Sequence, residues 1–265
     1  MAIANVSTGA ASFNTAATIT PAFGATTGAG HLLIALVTGQ NNGAAGIATT
    51  SAGWNTVNQG FESAGDMAIF SKTPSASGET APTFTCASAT YMGAVLMEFS
   101  GAGYEPYDQL GTASPWSSGG AVTAFHADAS ATNLVVFVTT WNNSKTATVT
   151  FGSNSFNNGA GASTTVLDDS ATKQIQHSWG FWAINTTGGT TGDSVSPTYT
   201  MSTGTPSTAI AMFASFTIAS KVPARPQQWR NTTPIMRAAH WMRDATGLLA
   251  PERARERIVI PRLVV

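Results

Sequence analysis

Two stretches, LLIALVTGQNN (Leu32–Asn42) and LVVFVTTWNN (Leu134–Asn143), carry the strongest fold signal in the chain. Each is a short apolar run that ends in polar turn formers. A run of this length rich in β-branched residues fits a strand buried on both faces better than a helix. The same kind of run recurs along the chain, at His31–Thr38, Met67–Lys72, Pro82–Cys86, Tyr91–Phe99, Leu134–Thr140, Gln174–Ile184, Pro197–Met201 and Ala209–Ile218. Clusters of Gly, Ser, Thr, Asn and Pro separate these runs, and helical spacing is absent before residue 230. The pattern predicts an all-β sandwich.

Around the two stretches the order of features repeats. Leu32 leads to MAIFSKTPSASGETAPTFTCASATYMGAVLMEFS from Met67, and Leu134 leads to GFWAINTTGGTTGDSVSPTYTMSTGTPSTAIAMFASFT from Gly180. In both, an aromatic strand, a Gly/Thr/Ser turn, a Pro-Thr-aromatic-Thr strand and a final apolar strand follow in turn. Pro82 aligns with Pro197. The offset is roughly 102 residues at the first strand and 113–117 later, which an insertion near residues 151–173 explains. Two related four-strand halves would together form one eight-strand, jelly-roll-like sandwich, since half a sandwich leaves an apolar face open. Chance similarity between low-complexity β sequences is the competing explanation.

The 265 residues are 43% hydrophobic and only 9% charged, so a sizeable core is within reach and a charge-coated helical enzyme is excluded. The single cysteine, Cys86, excludes an intrachain disulfide framework and a multi-cysteine metal site. The opening MAIANVSTGAASF lacks a basic and apolar leader, and no apolar run approaches the ~20 residues that cross a bilayer, so a soluble, unprocessed protein without membrane insertion is expected.

The net charge of −1 hides a division. Residues 1–220 carry three basic against ten acidic residues, a net of −7, and residues 221–265 carry nine basic against three acidic, a net of +6. The chain therefore reads as a β body, 1–220, followed by a basic extension, 221–265, that anchors it to something else. Within the extension Thr233-Pro234 is a helix start, with Ile235, Ala239, Met242 and Leu249 at helical spacing and Gly247 as a stop. The chain ends in an extended apolar segment, IVIPRLVV, that could add to the edge of a partner's sheet or to its own.

Chemistry-bearing residues are sparse in the body. His31 reads as a strand-edge residue, His177 as structural, and Cys86 as an inert core thiol. His126 and Asp128 lack a third metal ligand, Asp168-Asp169 lies in turn-like sequence, and Glu105 with Asp108 forms an isolated carboxylate pair in a loop. Phosphate-loop, nucleophile-elbow and zinc-helix motifs are absent, so neither catalysis nor a metal or other cofactor is expected. Trp116 and Trp141, beside Ser, Gly and Asn, are the candidates for stacking on sugar rings. In the extension Trp229, Arg230, Arg237, Trp241 and Arg243, with Ile258 and Ile260 in the terminal segment, are candidate partner contacts. Trp and Arg are the residue types that dominate protein interfaces, and the acidic body argues for a protein partner over nucleic acid.

The run GHLLIALVTGQ, then AGWNTV, then MAIFSKTPSASGETAPTFTCASATYMGAVLMEFSGAG resembles β-sandwich modules in structural proteins of tailed bacteriophages and prophages. The resemblance spans roughly residues 28–103, with a weaker echo at 133–219, and the extension has no counterpart in it. It implies a virion accessory protein, such as a capsid decoration, head-fibre or minor tail protein, made in the host cytoplasm and bound to capsid or tail proteins. Association with further copies of itself and contact with a host glycan are compatible with that reading. A carbohydrate-binding module or adhesin is the alternative function.

Overall fold

The computed structural model describes residues 2–40, 46–62, 65–113, 122–125, 133–147, 149–156, 164–169, 174–185, 193–202 and 206–218. These residues are all-β, in four antiparallel sheets. The expected helix from Thr233 and the terminal extended segment lie outside the described residues.

The first half holds β1 (Ala4–Thr8), β2 (Ser12–Asn14), β3 (Thr18–Ile19), β4 (Leu32–Gln40), β5 (Ile47–Thr49), β6 (Asn55–Glu62), β7 (Gly65–Lys72), β8 (Phe84–Cys86) and β9 (Tyr91–Ser100). The second holds β10 (Ala102–Ala113), β11 (Val122–Phe125), β12 (Asn133–Ala147), β13 (Val149–Phe156), β14 (Thr164–Asp168), β15 (Gln174–Asn185), β16 (Asp193–Met201) and β17 (Pro206–Ile218). The first large sheet has the order β1-β9-β4-β7-β6, with β2 also on β9, and the first small sheet has β3-β8-β5. The second large sheet has β10-β17-β12-β15-β14 and the second small sheet β11-β16-β13. Leaving out β2, the two halves pair their strands in one identical order.

The repetition extends to single residues. Asn5 stands opposite Phe99 and Ser7 opposite Glu98, with Val6 bulged out; Tyr107 stands opposite Phe216 and Gln109 opposite Ser215, with Asp108 in the same place. Thr49 faces Phe84 as Phe151 faces Tyr199, and Ala35 faces Phe70 as Phe137 faces Phe181. Corresponding residues are 102 apart from Asn5/Tyr107 to Thr49/Phe151, then 109 at Asn55/Thr164, 111 at Phe70/Phe181, 115 at Phe84/Tyr199 and 117 at Phe99/Phe216. The largest step, of 7, falls between Phe151 and Thr164, inside the stretch where an insertion was expected. The remaining steps fall in later turns, where added length costs little.

The eight strands read from sequence are too few. The described residues hold seventeen, and each half builds a large and a small sheet of its own instead of contributing four strands to one sandwich. The strands that escaped are short, such as ANVST in β1 and IAT in β5, and span too few residues to show a period.

The alternation along β4 explains why its run is apolar throughout. Leu32, Ile34 and Leu36 join one core with Val95, Met97, Phe99, Val136, Val138, Met212, Ala214 and Phe216, so the two large sheets pack face to face. Leu33, Ala35 and Val37 join a second core with Phe70, Phe84, Cys86 and Leu96, between the first large sheet and its small sheet. On the far side of the second large sheet Val135, Phe137, Phe181 and Phe213 are likewise fully buried. Gly101 alone joins β9 to β10. Its φ of +72° lies in the left-handed region, and a Cβ there would meet the Ala2 carbonyl oxygen 2.2 Å away.

Candidate functional site

The candidate partner contacts Trp229, Arg230, Arg237, Trp241, Arg243, Ile258 and Ile260 lie outside the described residues, as do Trp116, His126 and Asp128. Trp141 is within β12, which continues through Asn142 and Asn143 to Ala147, so the expected strand end at Thr140 and the loop setting of Trp141 are corrected. The strand persists because Asn142 still pairs with Gln176 on one side and Thr208 on the other. Glu105 and Asp108 also belong to a strand, β10, where a loop was expected. Other tryptophans are committed to packing: Trp54 and Trp179 are buried, and Trp182 meets Phe99 edge to face with ring centroids 5.4 Å apart.

Three buried polar groupings organise the described part. The first crosses the seam between the large sheets. Asp169, just beyond β14, accepts the Ser178 backbone N–H at 2.6 Å and the Tyr91 hydroxyl at 3.3 Å, and lies 3.4 Å from His177 Nδ1. Ser178 Oγ in turn bonds Thr38 Oγ1 at 2.7 Å, from the second half to the first. Burial pushes the Asp169 carboxyl above its ordinary range, with His177, the Ser178 amide and Tyr91 pulling it back. The residue types evoke a serine–histidine–aspartate triad, but adjacent strand residues point to opposite faces. Ser178 therefore faces the seam and bonds Thr38, while His177 turns away from it, so that imidazole is not placed to take the proton of this hydroxyl. With the Asp169 and His177 side chains fully buried, the arrangement works as a clamp between halves.

The second grouping surrounds Glu98, whose side chain is fully buried in β9. Its Oε1 accepts the Gly28 N–H at 2.7 Å and lies 2.6 Å from His31 Nδ1, and its Oε2 accepts the Ser7 hydroxyl at 3.2 Å. A buried carboxylate is costly unless its lone pairs are filled, and these partners fill them. Gly28 permits the approach, since a Cβ would come within 2.7 Å of the His31 ring. His31 is thus a strand-edge residue, as expected, and it also straps the preceding loop onto β9.

Cys86 makes the third. It is fully buried, its thiol donates to Asp66 Oδ2 at 3.0 Å, and burial together with the adjacent carboxylate pushes its pKa up to about 12. The thiol stays protonated at physiological pH, and the expectation of a core thiol holds.

Among the described residues the surface holds a polar hollow of about 400 Å³ inside the turn after β7, between Lys72 and Thr80. Lys72 and Glu79 neutralise each other across it, Lys72 also donates to the Ala52 carbonyl at 2.8 Å, and Thr27 holds the turn from below through the Glu79 amide at 2.7 Å. Among the described residues no three His, Cys, Asp or Glu side chains converge as a metal site would require. Sequence reasoning missed Glu98 and Asp66 as buried groups, although a lone carboxylate inside an apolar run such as YMGAVLMEFS is itself a signal that a partner must exist.

Comparison with protein-family models, with curated proteins and with solved structures gives no match.

Proposed function

We propose that the chain is a structural accessory protein of a tailed-phage virion, a surface-displayed β body held to capsid or tail proteins by its basic extension, without enzymatic activity of its own. The observation that carries this reading is the division of the chain. A body of net charge −7, whose central strands are buried on both faces, is followed by 45 residues of net charge +6 that concentrate Trp229, Arg230, Arg237, Trp241 and Arg243. Opposite charges steer the extension toward an acidic partner, and desolvated Trp and Arg side chains supply the hold. The resemblance of residues 28–103 to phage β-sandwich modules directs the reading to a virion.

We further infer that each half is a jelly roll. In that fold one sheet runs first-eighth-third-sixth strand and the other second-seventh-fourth-fifth. The orders β1-β9-β4-β7 with β3-β8-β5, and β10-β17-β12-β15 with β11-β16-β13, support it, with the fifth strand of each set (β6, β14) paired to the sixth.

The test is a chain ending at Ser220. It should fold as a soluble β protein and fail to enter particles. In the full chain, Arg237→Ala or Trp241→Ala should each weaken incorporation about 30-fold, the loss of a roughly 2 kcal/mol contact, with the body's melting temperature unchanged. Normal occupancy by the truncated chain would place the attachment on the body. Binding of the full chain to a glycan array, lost with Trp116→Ala or Trp141→Ala, would favour the carbohydrate-binding alternative.

A further inference from the structure

We propose that the face-to-face seam between the halves is an exchangeable interface: when the Gly101 hinge straightens, the first half of one chain docks on the second half of another copy, giving a closed two-fold dimer. Three observations carry this. Every strand pair of the described residues lies wholly before or wholly after Gly101, so the halves part without breaking a sheet ladder. The centre of the seam is also reciprocal, although β10 meets β4 and β6, and β17 meets β7, without matching contacts of that extent from β1 and β9. β4 meets β15 while its counterpart β12 meets β7, the counterpart of β15; β6 meets β17 while its counterpart β14 meets β9; and β4 meets β12. In an exchanged pair the first half of each copy meets the second half of the other through these same contacts, so the interchain seam repeats the intrachain one and the pair closes on a two-fold axis.

The third observation is the hinge. A single residue turns the chain from β9, paired through Ser100 to Ala4, into β10, paired through Ala102 to Ile218 in the facing sheet. That turn requires φ near +72° and the close approach of Ala2 O, both tolerated by glycine alone. A hinge of one residue favours exchange, because straightening it alters that residue alone while every other contact is kept in the exchanged pair.

The experiment uses the full chain with Gly101→Val, which forbids the turn and suits an extended strand. Thr38→Cys with Ser178→Cys reports which halves are in contact, since the native hydroxyl oxygens are 2.7 Å apart and sulfurs there come within bonding reach. With glycine at 101 and dilute refolding, oxidation should give an intrachain disulfide in a monomer. With Gly101→Val the mass should double in light scattering, and a non-reducing gel should show a covalent dimer that returns to monomer on reduction. A Gly101→Val protein that stays monomeric, or a dimer whose disulfides remain within chains, overturns the proposal. Should that variant not fold, the chain retaining Gly101 is refolded from denaturant over rising concentrations. A growing share of interchain disulfide supports exchange, and intrachain disulfide at all concentrations refutes it.

Discussion

Phe99→Ala should destabilise both halves of the body at once. The Phe99 side chain is fully buried in the core shared by the two large sheets. It stands opposite Leu32 of its own half and meets Trp182 of the other at 5.4 Å and 83°. Truncating a buried phenylalanine costs about 3–5 kcal/mol in lost transfer energy and cavity. A body of this size loses roughly 2–4 °C per kcal/mol, so the melting temperature should fall by about 6–20 °C. Phe84→Ala is the informative companion. Phe84 is equally buried, but its neighbours Phe70, at 4.9 Å, and Trp54, at 6.1 Å, belong to the first half. If the seam makes residues 1–220 one cooperative unit, both substitutions move a single calorimetric transition by similar amounts. Two separate transitions, with Phe84→Ala moving only one of them, would show that the halves unfold independently.

Asp169→Asn should change how stability depends on pH. Because folding raises the Asp169 pKa above its unfolded value, the residue's favourable contribution is complete below the ordinary carboxylate range and is lost as pH rises through the folded pKa. The amide cannot ionise and still accepts the Ser178 N–H, so the variant's melting temperature relative to the native protein should climb as pH rises from the ordinary carboxylate range, as followed by circular dichroism; a difference that is flat or falling as pH rises contradicts the assignment. Cys86 should be inert in the folded protein. With its pKa at about 12, a thiol-titrating reagent at pH 8 should react at least about a thousandfold more slowly than with the unfolded chain, and rapid native labelling would show that the thiol is accessible and ionised.

The legible part of the fold is written in local hydrophobic pattern. Leu32–Val37 and Leu134–Val138 are apolar at every position, which demands burial on both faces, and PTFTC against PTYTM announces the repeat. Those signals sufficed for an all-β chain with two corresponding halves. How many strands each half holds was decided by tertiary pairing, because β1, β3, β5 and β14 are short and owe their extended form to the neighbour they bond. The same is true of the polar groups. Asp169 stands in turn-like sequence and gives no local sign that the Tyr91 hydroxyl, 78 positions earlier, will reach it across the seam. Nor do Thr38 and Ser178, 140 positions apart, foretell their contact. Hydrophobic period is a property of neighbours along the chain, and so can be read from it. Hydrogen-bond partners at the seam are set by how two sheets stack, which depends on the whole fold.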